Sequence, residues 1–222
     1  MAVKKPFKVK GMRVVSPKGS ALWCKVKEPD YQFNDKGQYS VDLICDPNDP
    51  TVQAYINKLE TLITTAYDEA VAGQGDLKIQ PAKKKKIIKA DVFKEEFDAE
   101  GEPTGNIMFK FKMNNVDDRD KGQDKISVID GSRVKVDVDT MPEVGNGSTI
   151  RCKAYANPYY MPSTNTIGVS LLWEVMQLIT LVEYSGGDAD GFDDEEDSFS
   201  ANGDDSADGF DDDEEVTDNG NF

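Results

Sequence analysis

Residues 37–73 read GQYSVDLICDPNDPTVQAYINKLETLITTAYDEAVAG. Tyr39, Val41, Leu43 and Cys45 alternate with Gln38, Ser40 and Asp42, a period of two that turns one face of a strand inward and the other to water. Beyond Asp49 the period changes. Val52, Tyr55, Ile56, Leu59, Leu62, Ile63, Ala66, Tyr67 and Ala70 recur at intervals of three and four, the single apolar stripe of a helix. Asp49 suits its N-cap, Pro50 its first position and Gly73 its stop. The stretch predicts one strand followed by one capped helix that plugs or flanks a sheet.

On both sides of it the chain returns to alternation. Phe7 and Val9 are set against Lys8 and Lys10, and Leu22, Cys24 and Val26 against Trp23, Lys25 and Lys27. Further on, Ile107, Phe109, Phe111 and Met113 are set against Met108, Lys110 and Lys112. Val134, Val136 and Val138 then oppose Arg133, Lys135 and Asp137, and Ile150, Cys152 and Ala154 oppose Arg151, Lys153 and Tyr155. Turn signals separate them, at Pro17–Gly19, Asn34–Gly37, Gly101–Gly105, Asp130–Gly131 and Gly145–Gly147. Many short strands with turns between them suggest a small barrel or sandwich. About five strands with one helix is the OB architecture, so the expected fold is all-β with one α-helix, a five-stranded Greek-key OB barrel.

The charge is unevenly placed. Of 42 acidic residues in this 222-residue chain, 16 lie between Ser185 and Phe222, where there is no Lys or Arg; the other 26 balance the 26 bases. The net charge of −16 thus belongs to the tail, and a neutral body of residues 1–184 is large enough for one core. Residues 185–222 cannot bury enough apolar surface to fold, which predicts a disordered acidic tail. With no histidine, Ser-His-Asp and Cys-His nucleophiles, imidazole proton shuttles and His-containing zinc sites are excluded. Cys24, Cys45 and Cys152 are widely spaced and read as buried reduced thiols, neither a disulfide framework nor a four-thiolate zinc site. No apolar run approaches the ~18 residues of a membrane span, and Met1–Lys10 lacks a signal-peptide core. The expectation is a soluble, cytoplasmic protein with no membrane partner, metal or cofactor. Asp117, Asp118 and Asp120, or Asp137 and Asp139, could hold a nuclease metal in principle but read as solvated surface, so no catalytic residue is expected.

Within the neutral body the bases cluster. Residues 1–27 hold Lys4, Lys5, Lys8, Lys10, Arg13, Lys18, Lys25 and Lys27 with no acid. Residues 78–89 hold Lys78, Lys83, Lys84, Lys85, Lys86 and Lys89, again with no acid. Aromatic phase gives these bases a meaning. Trp23 shares a face with Lys25 and Lys27, and Tyr155 with Arg151 and Lys153. Tyr159 and Tyr160 follow in what reads as a Pro-flanked loop. Rings on a cationic face are what a single nucleic-acid strand requires: bases stack on the rings while the cations track phosphates. Tyr39, Phe109 and Phe111 are in phase with aliphatic residues and read as core.

The tail repeats itself. Ala189-Asp190-Gly191-Phe192-Asp193-Asp194-Glu195-Glu196 recurs, with one inserted Asp, over Ala207–Glu215, and the chain ends on Phe222. Glycine arrives at position 4 of the would-be calcium loop rather than 6, so an EF-hand does not fit. An aromatic ring beside acids imitates a base beside phosphates. Such a tail can occupy the body's own groove or a cationic pocket on another protein, with Phe222, Glu214, Glu215 and Asp218 as the partner-binding candidates. A rival reading from these features is an acidic chaperone or DNA mimic whose tail blocks a basic partner.

Taken in order, Lys27-Glu28-Pro29-Asp30-Tyr31, Gly37–Leu43, Phe109-Lys110-Phe111-Lys112, Gly147 through Pro158-Tyr159 to Glu183, and the tail ending in Phe222 resemble the OB-fold single-stranded DNA-binding proteins of bacteriophage replication. That resemblance implies a homodimer-capable protein that coats and protects single-stranded DNA in replication, recombination and repair, in the cytoplasm of an infected bacterium. It implies a tail that competes with DNA for the groove and contacts replicative DNA polymerase and helicase-primase. By position, Tyr159 matches a base-stacking tyrosine, Lys110 and Lys112 the basic strand, and Phe222 the terminal aromatic. The adjacent Tyr160 leaves open which ring stacks, and the dense Lys83–Lys86 loop leaves open a weaker affinity for duplex DNA.

Overall fold

Each alternating segment carries one apolar face, and the chain buries those faces by closing a sheet on itself. The computed structural model describes residues 9–32, 34–73, 79, 83, 86–116, 122 and 125–183. In chain order the elements are β1 (Met12–Val15), β2 (Gly19–Asp30), β3 (Gln38–Cys45), α1 (Pro50–Ala72), β4 (Ile88–Lys89), β5 (Lys94–Phe97), β6 (Pro103–Asn114), β7 (Ser127–Ile129), β8 (Lys135–Val136), β9 (Thr149–Met161) and β10 (Thr166–Thr180).

Five strands close a circuit. β2 pairs antiparallel with β3, and β3 with β6. β6 runs parallel to β10, β10 pairs antiparallel with β9, and β9 returns to β2. In chain order the third barrel strand lies beside the fifth and the fourth beside the first, the Greek-key circuit of an OB barrel. Among the described residues the sheet has ten strands rather than about five. The additional short ones attach outside the circuit: β1 to β9, β4 and β7 to β10, β5 to β6, and β8 to β7.

The core follows the predicted phase on most strands. Tyr39, Val41, Leu43, Cys45, Ile107, Phe109, Phe111, Ile150, Cys152 and Ala154 are buried, and each large apolar side chain among them stabilises the fold by on the order of 1.5–3 kcal/mol. Helix α1 forms as its caps dictate. The Asp49 carboxylate accepts from the Thr51 N–H, and Gly73 adopts the left-handed conformation (φ 70°) that ends the helix. Its first half joins the barrel core, where the Tyr55 ring meets Phe109 edge-on at 5.1 Å. Its second half, Ile63, Ala66 and Ala70, packs with Ile79, Ile87 and Ile167 in a separate cluster.

Three expectations are corrected. Alternation along β2 does not run unbroken: Ala21 and Val26 are buried, and Leu22 is not. Leu22 is level with Asp42 but Lys25 with Ser40, so a bulge at Trp23 (φ 52°) inserts a residue and shifts the phase. Val134 is exposed instead of buried, because Asp130 accepts from the Ser132 and Val134 N–H groups and bends the chain there. Tyr159 and Tyr160 lie within strand β9, paired to Gly168 and Ile167, not in a loop. Phe7 and Lys8, the acids Asp117, Asp118 and Asp120, Lys84 and Lys85, and the segment 184–222 with Glu214, Glu215, Asp218 and Phe222 lie outside the described residues.

Ser148, fully buried, ties the segment after β10 to the turn before β9. Its hydroxyl donates to the Gly145 carbonyl and accepts from the Val182 N–H, while the Gly145 N–H donates to the Val182 carbonyl. Among the described residues no helix is long and apolar enough to cross a membrane.

Candidate nucleic-acid interface

Strand register aligns the outward side chains of the barrel into rows. Lys25 on β2 is level with Ser40 on β3, Ser40 with Lys112 on β6, and Lys112 with Leu172 on β10. The neighbouring row carries Leu22, Asp42 and Lys110. These rows floor two depressions. One, of about 600 Å³, is lined by Trp23, Lys25, Gln32, Gln38 and Ser40; the other, of about 590 Å³, by Phe93, Lys94, Met108, Tyr159, Met161 and Leu172. Asp42, Lys110 and Lys112 line both. The two are therefore halves of one groove, with Trp23 in one half and Tyr159 in the other. It crosses the second and third barrel strands, the face on which OB folds bind oligonucleotides.

The bulge makes Trp23 available. Its left-handed backbone is unusual for a bulky residue and is held by the Trp23 N–H donating to Asn146 Oδ1 at 2.9 Å. Trp23 is 65% exposed. In the other half the Tyr159 ring lies over Gly168 on the paired strand, where any side chain would collide with it. Lys110 is partly committed, with its ammonium 3.6 Å from the Asp42 carboxylate.

The remaining predicted residues sit elsewhere. Tyr160 has the opposite phase to Tyr159: it packs against the helix-end cluster and donates its hydroxyl to Asn165 Oδ1 at 2.7 Å. The Asn165 amide in turn donates to the Lys83 carbonyl, so Tyr160 and the basic loop share a bracket; Lys83 and Lys86 are exposed. Lys27 turns out of the groove and donates its ammonium to the Met141 carbonyl at 2.7 Å. Arg151, Lys153 and Tyr155 share the outward face of β9 with Tyr159, but they do not line either half of the groove. The Tyr155 ring instead covers Gly11. Asp139 is paired with the Lys125 ammonium, and that hydrogen bond raises the lysine above its usual range. The three thiols are free. Burial raises Cys24 and Cys45 to about 12 and Cys152 well above its ordinary value.

Sequence reasoning missed Lys94, Phe93, Met161 and Leu172 in the Tyr159 half, and Gln32 and Gln38 beside Trp23. Lys94 stands next to the acidic run Glu95–Glu102, which masks it as a groove cation. The apolar members carry no local sequence signal: only the structure shows that Met161 and Leu172 stay exposed on strands otherwise dominated by core residues.

Comparison with known proteins agrees with this geometry. The family model described as the single-stranded DNA-binding protein of bacteriophage T7 matches residues 18–181. The single-stranded DNA-binding protein of Escherichia phage T7 is 26% identical over 188 residues, covering 82% of this chain and 81% of the relative. That of Enterobacteria phage T3 is 25% identical over 198 residues, covering 86% and 83%. The crystal structure of phage T7 gp2.5, a single-stranded DNA-binding protein, superposes with a TM-score of 0.58 at 25% identity, covering 86% of this chain and 99% of that one. The single-stranded DNA-binding protein of bacteriophage Enc34 in complex with ssDNA superposes at 0.52 and 12% identity, covering 84% and 100%, a likeness of fold. An OB barrel, a cationic groove with a ring in each half, and a family match spanning nearly the whole barrel lead to one conclusion: this chain belongs to the phage T7 family of single-stranded DNA-binding proteins, whose members bind a nucleic acid and are not enzymes.

Proposed function

We propose that the protein holds single-stranded DNA along the Trp23–Tyr159 groove. Phosphates lie against Lys25, Lys110 and Lys112, and bases stack on Trp23 and Tyr159. The observation that carries this reading is the shared lining: Lys110 and Lys112 belong to both halves of the groove, so a single strand passing from one ring to the other meets a lysine in each half. The phosphate contacts and the stacking by themselves depend strongly on salt and little on sequence. The basic run Lys83–Lys86 adds a weaker affinity for duplex DNA.

The body, residues 1–184, binds, and the tail, residues 185–222, regulates. Glu183 bridges to Val144, and two residues beyond Val144 the Asn146 side chain holds the Trp23 backbone. Glu183 therefore lies on the Trp23 side of the barrel. Tethered beyond it at an effective concentration on the order of millimolar, the acidic segment competes with DNA for the groove. DNA displaces it, and Phe222 with Glu214, Glu215 and Asp218 then recruits replicative DNA polymerase and helicase-primase. The setting is replication, recombination and repair of phage DNA in the host cytoplasm, by a protein able to form a homodimer.

The test is a titration of full-length protein and of protein truncated after Gly187 with single-stranded oligonucleotides. Truncation should tighten binding, most at low salt, where screening is least. Equal affinity at low salt would contradict the competition. A truncated body that bound no oligonucleotide would favour the acidic-mimic reading.

A further inference from the structure

We propose that Asp42 makes this groove discriminate among bases, accepting a hydrogen bond from the exocyclic amino group of a cytosine that crosses the centre of the groove. The inference rests on the single-stranded DNA reading of the same groove.

Asp42 is the acid that lines both halves, so a strand running from Trp23 to Tyr159 passes it. Its side chain is only 19% exposed, and it is level with Leu22 on one side and Lys110 on the other. A carboxylate at this place repels phosphates and would only weaken a site that read the backbone alone. The neighbouring row offers Lys25 and Lys112 on either side of the neutral Ser40, a better path for the phosphates. With phosphates drawn to that row, base edges turn toward Asp42. The Lys110 ammonium, 3.6 Å from Oδ2, partly offsets the charge and restrains the carboxylate.

An ionised carboxylate can only accept. Cytosine carries an amino donor at C4, the group with which Asp and Glu pair in base recognition. Uracil carries a carbonyl at the same position, an acceptor that faces the carboxylate lone pairs unfavourably, and thymine shares it. Cytosine and uracil otherwise differ only at N3, an acceptor in cytosine and an N–H donor in uracil, so the Asp42→Asn variant is needed beside the base comparison to assign the contact.

The experiment compares oligo-dC and oligo-dU of equal length, binding to the full-length protein at one fixed salt concentration and neutral pH. The wild-type protein should bind oligo-dC about three- to tenfold more tightly, the range one net hydrogen bond supplies. Asp42→Asn, whose amide can both donate and accept, should tighten oligo-dU and bring the two affinities within about twofold. Equal affinities in the wild type would overturn the proposal, and this arm requires no variant to fold. A preference that survived Asp42→Asn would overturn it as well. Failure of both oligonucleotides to bind the wild type at low salt would instead overturn the underlying reading of the groove.

Discussion

The ring of Tyr159 lies across Gly168, so closely that a Cβ built on that glycine would fall 2.6 Å from the tyrosine hydroxyl oxygen. Gly168 is therefore the seat of the ring. Gly168→Ala should lift Tyr159 from its place and weaken oligo-dT binding by about 1 kcal/mol, while Tyr159→Ala should cost about 1–3 kcal/mol of binding. The adjacent ring should behave differently. Tyr160→Phe removes the hydrogen bond to Asn165 and should lower folding stability by about 0.5–1.5 kcal/mol, with DNA affinity nearly unchanged. Urea unfolding and oligo-dT titration of the three variants check the division.

The two tryptophans should separate spectroscopically. Trp173 is 1% exposed inside the barrel and Trp23 is 65% exposed on the groove. Quenching of intrinsic fluorescence by oligo-dT should come from Trp23 alone. Trp23→Phe should abolish most of the quenching, and Trp23→Ala should cost about 1–3 kcal/mol of affinity. Quenching retained in Trp23→Phe would move the strand away from this half of the groove.

How much of this is legible in the chain follows from which signals are local. Helix α1 is readable to the residue, because Asp49, Pro50 and Gly73 act through hydrogen bonds and dihedral angles within a few positions of themselves. The inward faces of β3, β6 and β9 are readable because period two survives wherever a strand stays regular. The bulge at Trp23 is not, since an inserted residue is defined by the partner strand and Leu22 alone carries no sign of it. The same holds for Tyr159 and Tyr160. The sequence places two rings side by side, and only the pairing with Gly168 and Ile167 shows that strand phase sends them to opposite faces. Lys25, Lys110 and Lys112 read as cations on separate strands. Their convergence depends on register, as does the exclusion of Lys27, Arg151, Lys153 and Tyr155 from the groove.

Stability should fall in alkali. Burial raises Cys24 and Cys45 from an ordinary 9.0 to about 12 in the folded protein. The folded state therefore holds these protons more tightly than the unfolded chain. The thiol contribution is fully present below about pH 9 and is lost as pH rises toward 12, at up to about 1.4 kcal/mol per pH unit for each thiol. Chemical denaturation between pH 7 and 11 should show a plateau and then a decline above pH 9. The Cys45→Ser variant should show a shallower decline.

The central claim is that single-stranded DNA crosses the groove over its lysines, Lys25 in the Trp23 half and Lys112 in both halves. It is tested most directly by titrating oligo-dT against wild-type protein and the Lys25→Ala, Lys112→Ala double variant over a series of salt concentrations. If both lysines meet phosphates, the magnitude of the slope of log affinity against log salt should fall by about 1.4 in the variant, roughly 0.7 for each phosphate no longer neutralised. A variant with wild-type affinity and an unchanged slope would show that the strand binds elsewhere on the barrel.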